Sequence, residues 1–285
     1  MNKIHLPLKN SRAEQFITNL FRNLNYADVA EVQAKDFEQA WRGWLTASTY
    51  NFILGLDEFK HCVFTPGTTD AFGEFIARHH QRRVRVSKSD FVLTRILARS
   101  WNIKLEYLED SALDKDDCLI VSLPFSGNGS TVPDFKNILE QAEQLEVPVF
   151  LDAAYFGISH GIVYPLTYKC ITDFVTSLSK GLSGQPLRLG VRFTRDPIDD
   201  GASAAMIGMD TFDRLGAYLS IQLLNNFSHD WIINHYLPHS RKICLKHNLI
   251  PTQVLTLALG DESMIEFKRG DYIRVSISEE LSRYS

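Results

Sequence analysis

Cysteine is scarce in this chain and is not arranged for covalent work. Cys62, Cys118, Cys170 and Cys244 lie far apart, with no CxxC pair and no histidine at zinc-ligand spacing. Neither a disulfide framework nor a metal site is expected, and scattered reduced thiols point to a cytoplasmic protein. No run approaches the roughly 20 apolar residues needed to span a bilayer. The N-terminal MNKIHLPLKN lacks the long apolar core of a secretory signal. An excess of one charge is also missing: 30 Lys and Arg stand against 34 Asp and Glu, for a net charge of −4. That balance gives nucleic acid and anionic membranes little to hold, so neither is expected as a partner. Internal repeats, low-complexity tracts and Gly/Ser-rich linkers are absent too. What is there is ordinary globular composition: 285 residues, 45% apolar and 22% charged, enough for one large domain with a small appendage.

The apolar pattern supplies the fold class. Helical spacing runs over residues 12–24, through Phe16, Ile17, Leu20 and Phe21, and over 34–45, through Phe37, Ala40, Trp41 and Trp44. Strand-like runs follow at 61–65, 83–87, 104–108, 117–123, 147–151, 174–178 and 188–194, with helical patterns at 69–79, 91–101 and 132–145. This alternation predicts an α/β protein whose large domain is a three-layer α/β/α sandwich around a mostly parallel sheet. From Ala202 the chain starts helical and finishes in a strand-like run at 272–278, read as a small α+β C-terminal lobe. The expected division is 1–45 for an N-terminal segment, 46–200 for the large domain and 201–285 for the lobe.

Ligands of open α/β sheets bind beyond the carboxyl ends of the strands, and four such ends are polar here. Thr65-Pro66-Gly67-Thr68-Thr69-Asp70 precedes a helix; it suits either a phosphate cradled on backbone N–H groups or a plain helix cap. Ser122-Leu123-Pro124-Phe125-Ser126-Gly127-Asn128-Gly129 is a turn. Asp152-Ala153-Ala154-Tyr155 opens with a carboxylate that reads as a buried, partnered acid or as a strand-end turn residue. Ser177-Leu178-Ser179-Lys180 is followed closely by Arg188. A single lysine is usually a solvated charge. Taken together, these hydroxyls, arginine, carboxylate, phenol and lysine describe a site for a dianion and a positively charged ring nitrogen.

That set, in this chain order, resembles the aminotransferase superfamily of pyridoxal-phosphate (PLP) enzymes, fold type I. Gly67-Thr68-Thr69-Asp70-Ala71 is similar to the family's phosphate turn. Asp152-x-x-Tyr155 is similar to its Asp-x-Ala-Tyr strand end. Ser177-Leu178-Ser179-Lys180 with Leu187-Arg188-Leu189-Gly190 resembles its Ser-x-Ser-Lys…Leu-Arg-x-Gly segment, spacing included. Tyr272-Ile273-Arg274-Val275-Ser276 resembles the strand whose arginine holds the substrate carboxylate, and Asn25-Tyr26-Ala27-Asp28 the segment whose tyrosine reaches the neighbouring subunit's phosphate.

The resemblance implies PLP as cofactor, with Lys180 as its Schiff-base lysine and proton shuttle, Asp152 facing the ring nitrogen and Tyr155 the ring oxygen. Gly67, Thr68, Thr69, Ser177, Ser179 and Arg188 would hold the phosphate, joined by Tyr26 from a partner subunit. Phe91 would stack on the ring or simply pack in the core, and Arg274 would clamp the substrate carboxylate or form a structural ion pair. The family's asparagine-rich loop departs most: Ser126 replaces the asparagine that bonds the ring oxygen, with Asn128 as the residue that could reach in instead. The stretch after Lys180 and the N-terminal arm are shorter than usual in the family. The implied protein is a homodimeric aminotransferase with its active site at the subunit interface. It would pass the amino group of an α-amino acid to a 2-oxo acid. Loss of the loop asparagine motivates a PLP-dependent lyase or cyclase of specialised metabolism as the alternative, while a DNA-binding regulator has no room for its basic module.

Overall fold

The computed structural model describes residues 7–195 and 208–285. Seven strands form the central sheet: β2 (His61–Pro66), β3 (Arg83–Val86), β4 (Leu105–Tyr107), β5 (Asp117–Ser122), β6 (Val149–Asp152), β8 (Ile171–Ser177) and β9 (Leu189–Thr194). Their order is β2-β9-β8-β6-β5-β3-β4, and β9 alone runs against the rest. Strands β5 and β9 are buried along their whole length, as a sheet covered on both faces requires. This is the mostly parallel α/β sheet that the apolar pattern predicts.

Helix α4 (Thr68–Arg78) shows how a covering layer is specified. Its buried residues Ala71, Phe72, Phe75 and Ile76 recur at helical spacing. Phe72 and Phe75 set their rings 4.8 and 5.3 Å from that of Phe150 on β6. A buried ion cluster pins the same helix: Asp173 of β8 pairs with Arg78 and with Arg192 of β9, and Arg192 reaches Glu74 at 2.5 Å. On another part of the molecule, α1 (Ser11–Arg22), α2 (Tyr26–Ala30) and α3 (Ala34–Thr46) precede the sheet, and α3 buries Phe37, Trp41, Trp44 and Leu45. The Trp44 indole N–H donates to the Phe227 carbonyl at 2.7 Å.

Helix α5 (Val92–Ser100) follows β3, and α6 (Phe135–Gln144) starts three residues later than the pattern suggests. Pro133 disfavours helical geometry at Val132, and Asp134 adopts a left-handed φ of 54°. Likewise β6 begins at Val149, after Pro148, which has no N–H to give a ladder. A short parallel ladder, β1 (Phe52–Leu54) with β7 (Val163–Pro165), has no counterpart in the sequence reading.

The C-terminal part carries helices α7 (Arg214–Asn226) and α8 (His229–Lys246), then a second, antiparallel sheet. Its strands are β10 (Ile250–Pro251), β11 (Leu257–Leu259), β12 (Lys268–Arg269) and β13 (Tyr272–Ser276), in the order β10-β11-β13-β12. The last strand is shorter than the expected 272–278, because the chain turns into a helix at Ser278–Leu281. The expected boundary at 200/201 and the helical start at Ala202 lie outside the described residues. Among the described residues, no helix is long and apolar enough to cross a membrane.

Candidate active site

Register gathers the site at one edge. Ser122 lies opposite Asp152, and Asp152 opposite Val175, so the carboxyl ends of β5, β6 and β8 finish side by side. Because β9 is antiparallel, its start rather than its end comes to this edge: Leu189 lies beside Pro66, and Gly190 beside Ser177. The hairpin between β8 and β9 therefore returns Arg188 to the neighbourhood of Lys180. A cavity of about 230 Å³ opens there, lined by Thr68, Thr69, Phe91, Ser126, Asp152, Tyr155, Ser177, Ser179, Lys180 and Arg188, with Ala154 and Gln185 added.

One wall is an anion cradle. Gly67 sits at the N-terminus of α4 with φ +76°, and a side chain there would run into the Arg188 guanidinium. A side chain at Gly190 would strike the Gly67 backbone. Both glycines thus let two backbones and a guanidinium converge. Arg188, itself at φ 53°, donates to the Pro66 carbonyl and to Thr69 Oγ1, each at 3.2 Å. Ser179 Oγ is buried with no hydrogen-bond partner among the described residues. An orphan hydroxyl, a fixed guanidinium and the free N–H groups of a helix start make a set that a phosphate-sized anion satisfies.

The facing wall holds the titratable groups. Burial, then the neighbouring Asp90 carboxylate, pushes the pKa of Asp152 up to about 7, against a hydrogen bond from Ala154 N–H and the nearby Lys180. Burial lowers the pKa of the Lys180 amine; Asp152 opposes this, while Arg188, Arg274 and Arg269 add to it. The amine stands 5.6 Å from the centre of the Tyr155 ring. The Tyr155 phenol is raised by burial. Such opposed shifts of an acid and an amine in one cleft are the electrostatic pattern of proton-transfer sites.

Arg274 projects from β13, 2% exposed, and donates from Nη1 to the Ser126 carbonyl; its Nη2 is buried without a partner among the described residues. Burial lowers its pKa, and Tyr155 opposes that. Phe91 caps α5, is 38% exposed and lines the cavity, its ring centre 6.3 Å from that of Phe72.

Three expected residues behave differently. Ser126 lines the cavity, yet its hydroxyl donates to Asp90 Oδ1 at 2.9 Å. Asn128 is not brought to the cavity. Its side chain closes its own turn, accepting from Ser130 N–H at 2.8 Å and donating to the Thr131 carbonyl. The expectation that it reaches the ring oxygen is corrected on that ground. Tyr26, on α2, is 85% exposed and outside the cavity lining. Sequence reasoning misses Asp90, although the stretch Ser87-Lys88-Ser89-Asp90 after β3 is a fifth polar strand end. It also misses Gln185, in the loop before Arg188.

No protein-family model matches the sequence, and no curated protein does. Solved structures match over nearly the whole chain. The histidinol-phosphate aminotransferase of Clostridium acetobutylicum is 15% identical, with TM-score 0.63 over 99% of this chain and 96% of its own. The tyrosine aminotransferase of Leishmania infantum is 12% identical, with TM-score 0.67 over 100% and 91%. A PLP-bound C-S lyase of Staphylococcus hominis is 13% identical, with TM-score 0.67 over 96% and 82%. At these identities the likeness is one of architecture, and this chain has the fold type I architecture of the PLP-dependent aminotransferases.

Proposed function

We propose that the chain is a PLP-dependent enzyme that transfers the amino group of an α-amino acid to a 2-oxo acid. The observation that carries this reading is the convergence, in one cavity, of Lys180, Asp152, Tyr155 and the anion cradle at the start of α4. The donor set fits the cofactor: an orphan buried hydroxyl and a fixed guanidinium for its phosphate, a buried acid for its ring nitrogen, and an amine for its aldehyde. Thr68, Thr69, Ser177, Ser179 and Arg188, with the Gly67 turn, would hold the phosphate, and Tyr155 would face the ring oxygen. When bound, the cofactor withdraws electrons from the substrate α-carbon.

The chain's own residues supply the rest. Lys180 takes and returns a proton at the α-carbon, which needs an amine that is neutral near pH 7; burial and the arginines around it push it that way. Arg274 offers its unpartnered Nη2 to the substrate carboxylate. Phe91 covers one side of the cavity. A homodimer completes the unit, supported by Tyr26 on α2 and by exposed Phe52, Leu54 and Val163 on the β1–β7 ladder. Four free thiols support a cytoplasmic setting.

A second reading, elimination by a PLP-dependent lyase, is favoured by Ser126, whose hydroxyl is committed to Asp90, and by the C-S lyase among the structural neighbours. Adding single amino acids to the PLP-loaded protein separates the two. Transamination converts the bound cofactor to its pyridoxamine form, and Lys180→Ala abolishes the conversion. Release of ammonia and a 2-oxo acid with the cofactor unchanged selects elimination.

A further inference from the structure

Asp152 is not the only buried carboxylate at this edge. Asp90, in the turn between β3 and α5, is 2% exposed and, among the described residues, pairs with no cation. It accepts hydrogen bonds from Ser122 Oγ at 2.6 Å, Phe91 N–H at 2.7 Å, Ser126 Oγ at 2.9 Å and Ser122 N–H at 3.1 Å. Ser122 Oγ also lies 3.4 Å from Asp152 Oδ2. A serine hydroxyl has one proton and so can donate to only one of two carboxylates. The short contact assigns that proton to Asp90. The Asp152 oxygen then faces a lone pair, which an ionised carboxylate disfavours and a protonated one satisfies.

We propose that Asp90, Ser122 and Asp152 act as one proton-holding unit in which Asp90 remains the anion and keeps a proton on Asp152, available to the ring nitrogen of the cofactor. Asp90 is thus a positioning residue that acts through Asp152, and its role rests on the PLP reading of the site. Burial raises both carboxyls, opposed at Asp90 by its hydrogen bonds, and donor count sets the asymmetry. Asp90 has four donors, whereas Asp152 has the Ala154 N–H at 3.0 Å and the distant serine. Two carboxylates joined by one hydroxyl in a dry site share one proton between them. A ring nitrogen placed beside Asp152 would take that proton from it. Asp152 would then be the anion that pairs with the protonated nitrogen, the unit having given up its one proton with none taken from solvent. The other charged and titratable groups facing the pair are Lys180 at the end of β8, Tyr155 and Tyr164, with Arg188, Arg269 and Arg274 beyond Lys180. Ser126, the departure from the family loop, belongs to this unit as an Asp90 donor.

The test is a pH titration, by difference infrared spectroscopy, of the protonated-carboxyl band of the full chain, with Asp152→Asn identifying the band. Asp90→Asn is expected to lower its midpoint by at least one pH unit, a tenfold loss of proton affinity, and Asp90→Glu to restore it. Ser122→Ala, which keeps both acids, is expected to lower the midpoint as well, because protonated Asp152 loses the serine lone pair that accepts from it. A fall in both variants that Asp90→Glu reverses is not what a packing defect produces. If Asp90→Asn does not fold, the Ser122→Ala shift decides alone. Coincident midpoints in wild type and variants overturn the proposal. PLP uptake by the wild-type chain is measured in parallel: failure to load ends the cofactor reading itself, whereas loading with coincident midpoints ends only the role of Asp90.

Discussion

Asp152 is stabilised in the form that an isolated aspartate would not adopt near neutrality. Folding raises its pKa from 3.8 to about 7, so the native state binds its proton more tightly than the unfolded chain does. The resulting stabilisation is complete below the unfolded value and is lost as pH rises through about 7. Asp152→Asn should therefore flatten the stability profile of the unloaded protein between about pH 4 and 7. At pH 8 it should be more stable than wild type by on the order of 2–4 kcal/mol, since each tenfold change in proton affinity is worth about 1.4 kcal/mol, as read from urea midpoints. The same variant should lose PLP, trading function for stability. Lys180, Asp152 and Arg188 were legible in the sequence because each follows an apolar strand directly or stands at the start of one. Asp90 was not, since only the folded turn shows that a carboxylate after Ser87-Lys88-Ser89 is buried and aimed at Ser122.

Among the elements, α4 carries the most consequence, because its first turn is the anion cradle. Its position is fixed by Phe72 and Phe75 against Phe150 and by the Asp173 cluster beneath it. Asp173→Ala removes the buried carboxylate that Arg78 and Arg192 share, and should cost roughly 3–5 kcal/mol in chemical denaturation. Gly67→Ala is expected to leave most of the fold but weaken PLP binding at least tenfold in equilibrium dialysis. A residue at φ +76° that also meets Arg188 has to displace the cradle. Long periodic elements were readable from the sequence: the core strands and α4 depart from expectation by a few residues at their ends. The ladders of two or three residues, β1, β7, β10 and β12, carry too little pattern to stand out from loops.

At the scale of the whole molecule, the second sheet matters because it packs a buried arginine against Ser126, which lines the cavity built on the first. The second sheet puts Arg274 against the Ser126 carbonyl, across a separation of 148 residues. Its four-stranded order could not be read from a lone strand-like run at 272–278. The proposed homodimer draws on the exposed Tyr26 and the apolar β1–β7 face. Sedimentation at micromolar concentration should show a homodimer, and Tyr26→Phe should weaken PLP retention several-fold without changing far-UV circular dichroism. A monomer with full PLP affinity would remove Tyr26 from the site.

The reading as a whole turns on the Lys180 amine. Incubating the protein with PLP, reducing with borohydride and mapping peptides by mass spectrometry measures it most directly. The expected result is one pyridoxyl group per chain, on Lys180, and none in Asp152→Asn or Lys180→Ala at matched PLP. A chain left unlabelled, or labelled on another lysine with Lys180 unmodified, would contradict it.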